Sequence, residues 1–279
     1  MLDLKPFPSV GGHLGVLCSE KSGQLFKPLL DTRGEREVAF YSKVYGDQRS
    51  TTGKEGAAAD LSPYIGLSAF IPRFFGTVKN VDEPKDLSKT SSISSGYLVL
   101  ENLVDSMNHP SVMDVKVGLR TYGSSASPEK AAAEERKYPL QKTIGYRIVG
   151  MSVWDGESIR KYDRSFGLSF TDPDTVYKGF EEFLCGIKGS LRVNLAKLFL
   201  ERLCIIEKWF MWQREFLFFG SSLLFIYDGD RHNSFSRVDV RLIDFAHTEL
   251  SNGARDEGFL VGLKNVCKAF ERIIIETRI

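Results

Sequence analysis

Asp114 and Lys116 stand two residues apart in the run Pro110-Ser111-Val112-Met113-Asp114-Val115-Lys116-Val117-Gly118. Apolar residues at 113, 115 and 117 alternate with the two charges, so a strand would carry Asp114 and Lys116 on one face. A cation beside a carboxylate is what phosphoryl transfer uses to hold both phosphate and hydroxyl; a solvated strand face is the plainer reading of the same pattern. A second acid, Asp244, ends the apolar run Leu242-Ile243 and is followed by Phe245-Ala246-His247. An acid at a strand end facing a cleft suits Mg2+, which takes one or two carboxylates together with phosphate oxygens. Lys27 lies in an apolar strand-like run and Glu37 ten residues on, so a strand lysine could pair with a helix glutamate beside a nucleotide. The same two residues could equally be a snorkelling lysine and a solvated acid. Val10-Gly11-Gly12-His13-Leu14-Gly15 could set backbone N–H groups against a phosphate, or simply form a turn.

Several other chemistries lose their support. Gly53-Lys54-Glu55 lacks the upstream glycine and the hydroxyl residue of a P-loop, and neither GxSxG nor HExxH occurs. Asp244-Phe245 matches the first two positions of the protein-kinase metal motif, but the third residue is Ala246 and no HRD loop lies upstream, which argues against a conventional protein kinase. The chain has 37 Lys+Arg against 36 Asp+Glu over 279 residues, a net charge of +1, so coating nucleic acid is not its role and any phosphate ligand must meet a local basic cluster. Its 42% hydrophobic, 12% aromatic and 26% charged residues exclude a wholly disordered chain. Cys18, Cys185, Cys204 and Cys267 form neither a CxxC nor a cluster with histidines, so reduced thiols are expected. Met1 to Pro6 lacks the basic and apolar regions of a signal peptide, and no run of about 18 apolar residues occurs; an intracellular protein, cytoplasmic and/or nuclear, is the expectation.

The elements that must position these residues follow from periodicity. Residues 14–18 and 24–29 flank Ser22-Gly23 as a hairpin, and Arg33–Tyr45 reads as a helix. Residues 46–69 and 82–95 read as surface loops around strands at 73–78 and 97–100. Beyond the strand at 110–118, Pro128–Arg136 is a helix capped by Ser127, followed by a strand at 146–153. Helices are expected at 173–186 and 191–216, the second with a core stripe of Leu195, Phe199, Leu203, Ile206 and Phe210. Strands at 222–227 and 238–244 and a helix at about 257–276 complete the chain. That order implies a two-lobed α+β protein with a cleft between a small N-lobe, residues 1–104, and a larger C-lobe, residues 105–279.

Together these residues resemble the inositol polyphosphate kinase family. Pro110 to Gly118 is similar to its PxxxDxKxG signature and is joined in order by Ser221-Ser222-Leu223-Leu224 and Ile243-Asp244-Phe245-Ala246-His247, with Arg33-Gly34-Glu35-Arg36-Glu37 and Asp256-Glu257-Gly258 towards the ends. The resemblance implies a two-lobed fold akin to protein kinases and ATP-grasp enzymes, with ATP and Mg2+ in the cleft. It implies adenine on the backbone of the connector Glu101-Asn102-Leu103, Lys27 paired to Glu37 on the phosphates, Asp114 at the ribose and Asp244 on the metal. Lys116 would bridge the transferred phosphate and the substrate, with His247 near the acceptor hydroxyl and Arg33 on the substrate side, so that Lys116, Asp114 and His247 carry the catalytic roles.

Within the family the chain is most similar to the multikinase branch, because residues 118–145 are too short for the large substrate lobe of the trisphosphate 3-kinases and because Lys137-Tyr138-Pro139-Leu140 has the multikinase form. Glu129-Lys130-Ala131-Ala132 instead resembles the hexakisphosphate kinases, and Asp228–Arg237 replaces a long insertion of animal multikinases. The substrate expected is an inositol tris- or tetrakisphosphate, met by Lys130 and Lys137 on one face of a short helical segment at 127–142, with Glu134 standing where a glutamine is usual. A pyrophosphate-forming hexakisphosphate kinase and a catalytically weak phosphoinositide-binding scaffold are the alternatives. A monomer with no nucleic-acid partner and no stable membrane insertion is expected.

Overall fold

The computed structural model describes residues 3–8, 10, 15–51, 63–79, 96–230 and 237–277. Strands β1 (Leu4–Pro6), β2 (Leu17–Ser19) and β3 (Gln24–Pro28) form an antiparallel meander, the turn between the last two being made by Gly23 at φ 61°. Helix α1 (Thr32–Thr51) follows, then α2 (Pro63–Ser68), β4 (Phe74–Val78) and β5 (Tyr97–Glu101). The first sheet has the order β1-β2-β3-β5-β4, antiparallel throughout. Glu37, Phe40, Tyr41 and Val44 are the buried stripe of α1, spaced three and four apart, so the helix that packs on this sheet carries an acid on its core face.

Residues 102–109 connect to β6 (Pro110–Val117) and the second sheet. They are held down where the Asp228 carboxylate accepts the backbone N–H groups of Asn108 and His109, each at 2.9 Å. After β6 come α3 (Pro128–Lys137), α4 (Gln141–Ile144), β7 (Tyr146–Trp154), β8 (Ile159–Tyr162), α5 (Arg164–Leu168), α6 (Lys178–Phe183) and α7 (Gly189–Trp212). Strands β9 (Phe216–Phe218), β10 (Ser222–Asp228), β11 (Val238–Ile243) and β12 (Thr248–Leu250) precede the last helix, α8 (Glu257–Thr277). The second sheet is antiparallel in the order β11-β10-β6-β7-β8, and β9 pairs with β12 apart from it. One face of the second sheet lies on α6, α7 and α8; the other faces the cleft below the first sheet.

The expected stripe of α7 is core: Leu195, Phe199, Leu203, Ile206 and Phe210 are all buried, and Phe210 stacks on Phe259 of α8 at 4.1 Å. Ser127 caps α3, its hydroxyl accepting from the Lys130 N–H at 3.3 Å. Among the described residues no helix is long and apolar enough to cross a membrane, and the four cysteines are free.

Three expectations need correction. Residues 46–69 are not one loop: α1 runs on to Thr51, and α2 forms because Leu67 enters the core and Gly66 packs so close to the Trp209 ring that a Cβ there would lie 2.7 Å from it. The helix expected at 173–186 shrinks to Lys178–Phe183, since Asp172 folds its own neighbourhood into a turn, accepting from the Asp174 N–H and the Thr175 hydroxyl at 2.9 Å each. α7 stops at Trp212 because the buried Gln213 side chain accepts from the N–H groups of Glu215 and Phe216 and donates to the Phe216 carbonyl, which turns the chain into β9. The glycine-rich turn at 11–14 and the loop at 82–95 lie outside the described residues.

Candidate active site

Lys27 on β3 is the centre of the cleft. Its ammonium lies 2.6 Å from Asp244 Oδ1 and 2.9 Å from Glu37 Oε2, so one cation ties the first sheet, helix α1 and the end of β11 together. Burial alone disfavours this ammonium, but the Asp244 and Glu37 carboxylates outweigh it and raise its pKa well above the ordinary lysine value. Asp244 takes up a left-handed backbone, φ 65°, which costs a non-glycine residue free energy and turns its side chain out of the β11 alternation. The Ser221 hydroxyl fixes that turn by donating to the Asp244 carbonyl at 2.8 Å.

Asp114 and Lys116 do share one face of β6, as the alternation required, and that face looks into the cleft. Asp114 is buried, and its Oδ1 has no hydrogen-bond partner among the described residues. Burial first, and the Asp244 carboxylate second, push its pKa up to about 6 against the pull of Lys116. Lys116 stands at the junction of two further cavities. Gly118 (φ 115°) and Gly220 (φ 67°) shape the backbone beside it; a Cβ on Gly220 would meet the Thr121 carbonyl at 3.0 Å and approach Lys116 Nζ to 3.8 Å.

Three cavities meet at these residues. The first, about 260 Å³, is a flat apolar slot roofed by Val16, Leu25 and Leu100 and floored by Val112, Leu224 and Ile243, with Lys27, Glu37, Asp114 and Asp244 at its polar end. Glu101 and Leu103 line its closed edge. The Leu103 N–H has no partner among the described residues, while the Glu101 carboxylate is held by the Arg73 N–H at 3.2 Å and lies 3.6 Å from Arg241. The second cavity, about 410 Å³, is bounded by Arg33, Lys116, Asp244 and His247. Its His247 is half-buried, and burial together with the cations Lys130, Arg36, Lys116 and Arg33 holds the imidazole below its ordinary pKa. The third, about 610 Å³, has Lys116, Arg147, Lys161 and Arg164 on its walls with one acid, Asp163.

The structure thus brings Lys27, Glu37, Asp114, Lys116 and Asp244 into one cluster, with His247 and Arg33 at its mouth and Glu101 and Leu103 at the far end of the slot. Lys130 is exposed on α3 yet close enough to act on His247. Lys137 is less available: its ammonium pairs with Glu134, whose carboxylate also accepts from the Thr121 hydroxyl at 3.3 Å. Burial works against ionisation of Glu134, but Lys137 wins and holds that carboxyl below its ordinary value. Sequence reasoning missed Arg36, Arg147, Lys161 and Arg164. The alternation of β7 would have found Arg147, since Tyr146 and Ile148 on either side of it are buried in the core.

A slot for a flat apolar group, ending in a lysine held by two acids and leading past Lys116 to a cationic cavity, is the arrangement of a two-lobed phosphotransferase. The fold agrees: the chain superposes on the inositol phosphate multikinase Ipk2 of S. cerevisiae, solved in complex with ADP and Mn2+, with a TM-score of 0.68 over 90% of this chain and 99% of that one at 24% identity. The sequence model of the family described as inositol polyphosphate kinase matches residues 97–271, and the chain belongs to that family. It is similar to the human inositol polyphosphate multikinase, 30% identical over 88% of this chain, and to that of Schizosaccharomyces pombe, 28% identical over 98%. The chain spans 55% of the length of the human relative and 99% of the S. pombe one.

Proposed function

We propose that this protein transfers the γ-phosphoryl group of ATP to a hydroxyl of an inositol polyphosphate. The observation that carries the reading is the Lys27–Glu37–Asp244 cluster at the polar end of an apolar slot, with Lys116 leading from it into the third cavity, whose walls carry four cations. The slot suits adenine, with the unpartnered Leu103 N–H and the Glu101 backbone at its edge, and Lys27 suits the phosphates. Asp114 sits where the slot meets the cluster, within reach of a ribose.

The donor set also fits a divalent cation. The buried, unpartnered Asp114 Oδ1 and the nearby Asp244 carboxylate supply two hard oxygens, the number Mg2+ takes when phosphates and water complete its shell. Asp244 would hold the ion, which supplies neutralisation of phosphate charge. This chain's own residues then do the positioning. Glu37 orients Lys27, and Lys116 stands between nucleotide and substrate cavities, placed to neutralise charge on the group in transit. His247, held below its ordinary pKa by burial and then by its cationic neighbours, offers a ring nitrogen near an acceptor hydroxyl in the second cavity.

The excess of Arg and Lys over acids around the third cavity, where four cations face Asp163 alone, selects a substrate with several phosphates. Incubation with ATP, Mg2+ and a panel of inositol phosphates, followed by identification of products, tests the reading; phosphorylation of a tris- or tetrakisphosphate is expected. Turnover of the hexakisphosphate to a pyrophosphate would place the chain with the branch that Glu129-Lys130-Ala131-Ala132 resembles, and binding without turnover would leave only a scaffold.

A further inference from the structure

Register, burial and the absence of a counter-ion single out Arg147. In the antiparallel pairing of β6 with β7, Lys116 stands directly opposite Arg147, so two cations project side by side from one face of the sheet. Like charges in that position repel, and Arg147 is only 7% exposed. A buried guanidinium brings five N–H donors that need acceptors. Among the described residues the Arg147 side chain has no hydrogen bond and no ion pair.

No acid among the described residues pairs with Arg147: Asp114 acts on it through its charge but forms no ion pair with it, and two other acids nearby are engaged elsewhere. Glu134 is held by Lys137 and Thr121, and Asp163 caps α5 through the Ser165 N–H at 2.9 Å. Elsewhere the chain does satisfy its sheltered arginines. Arg241 is met by Asp239 at 2.5 Å and the Ile71 carbonyl at 3.0 Å, and Arg192 by the Ile187 and Leu184 carbonyls. Burial, and then the Arg164 cation beside it, lower the pKa of Arg147, as befits a charge held without a partner. The register shift between Asp114 and Val115 adds one residue, Val149, to β7, and such a bulge beside a site re-aims the side chains around it.

We propose that Arg147 is a specificity-determining residue of the substrate site, its guanidinium fork donating to a ring phosphate that is not transferred, on the far side of Lys116 from His247. The inference rests on the kinase reading above and deepens it: the third cavity becomes the seat of a second phosphomonoester, and Arg147 ranks substrates by whether they carry one there. A guanidinium matches a phosphate bidentately, which a lysine cannot reproduce.

The test compares the wild type with Arg147→Leu and Arg147→Lys, measuring KM for an inositol trisphosphate and a tetrakisphosphate, KM for ATP and the thermal midpoint. Arg147→Leu should raise KM for the inositol phosphates roughly tenfold or more, as expected for a charge-assisted contact, and leave KM for ATP within about twofold. Arg147→Lys should recover part of the loss. The midpoint of Arg147→Leu should hold or rise, because a buried unpaired charge has been removed. Unchanged KM for both inositol phosphates overturns the inference, as does a lowered midpoint with both kinds of KM raised, the sign of a structural arginine. Should the wild type phosphorylate no inositol phosphate, the kinase reading fails and calorimetric titration with inositol hexakisphosphate decides on Arg147: weaker binding by Arg147→Leu upholds a phosphate subsite there, and equal binding overturns it.

Discussion

Phe40 stacks on Phe245 with ring centroids 4.3 Å apart and an interplanar angle of 25°. Phe40 lies one helical turn from Glu37, and Phe245 directly follows Asp244, so this contact sets the separation of the two acids that Lys27 bridges. Tyr41 and Phe218 add edge contacts to Phe245, and the aromatic cluster fixes the turn independently of the carboxylate it carries. The chemistry at Asp244 can therefore be removed without removing its support.

Asp244→Asn is expected to abolish nearly all turnover while the protein melts close to the wild-type temperature. The amide keeps the shape of the turn, and Lys27 keeps Glu37; what is lost is an anionic ligand for a phosphate-bound cation. Steady-state turnover and thermal melting of the same preparation check this. Near-normal turnover would reject the assignment of Asp244 to the metal.

Asp114 gives a pH signature. Its carboxyl is raised to about 6 from 3.8, so the folded protein binds that proton more tightly than the unfolded chain does. Its contribution is therefore most favourable below about pH 4 and is lost as pH rises through about 6. The full swing is at most about 3 kcal/mol. Asp114→Asn should be more stable than the wild type at pH 7.5, the difference vanishing towards pH 4. Urea unfolding of both proteins across that range measures it. A variant less stable than the wild type at pH 7.5 would mean the carboxylate is a structural necessity. Turnover should fall in this variant, a carboxylate at the ribose being lost.

Much of this site was legible because alternation is local. Asp114 and Lys116 declared their shared face through Met113, Val115 and Val117, and Lys27 and Asp244 each lay in or just past an apolar strand. The pairing of Lys27 with Glu37 was legible as a strand lysine ahead of a helix acid, but its second acid was not: Asp244 is 217 residues away, brought in by sheet pairing and by a left-handed turn that no spacing rule announces. The short strands β8, β9 and β12 escaped because three or four residues carry too little periodicity, and they exist through the partners they pair with. The shared face of Lys130 and Lys137 was read correctly as helix geometry, yet Glu134, also on that helix, captures Lys137, which counting sevens does not foresee.

Lys116 is expected to act on the group being transferred. Lys116→Ala should lower kcat by roughly 10²-fold or more, about 3 kcal/mol of transition-state stabilisation. Lys116→Arg should not restore it, because a planar fork cannot stand in the narrow space beside Gly220 and Ser222, and it would crowd Arg147. Single-turnover kinetics separate this step from binding. A preserved kcat with a lowered melting temperature would make Lys116 structural.

The helix α3 is expected to influence the reaction through charge. Lys130 acts on His247 from the surface, so Lys130→Glu replaces a cation that depresses the imidazole pKa with an anion that raises it. With the neutral ring as the active form, the acid limb of kcat/KM should move to higher pH, and KM for the inositol phosphate should rise while KM for ATP stays nearly constant. Added salt should shrink both effects, since an exposed charge is screened. Glu134→Gln should act the other way, releasing Lys137 from its ion pair and lowering KM, more for a tetrakisphosphate than for a trisphosphate. pH profiles of wild type, Lys130→Glu and Glu134→Gln at two ionic strengths check all of this. Superimposable profiles with equal KM values would mean that α3 presents only a solvated face and that the third cavity, with Arg147 on its wall, reads the substrate.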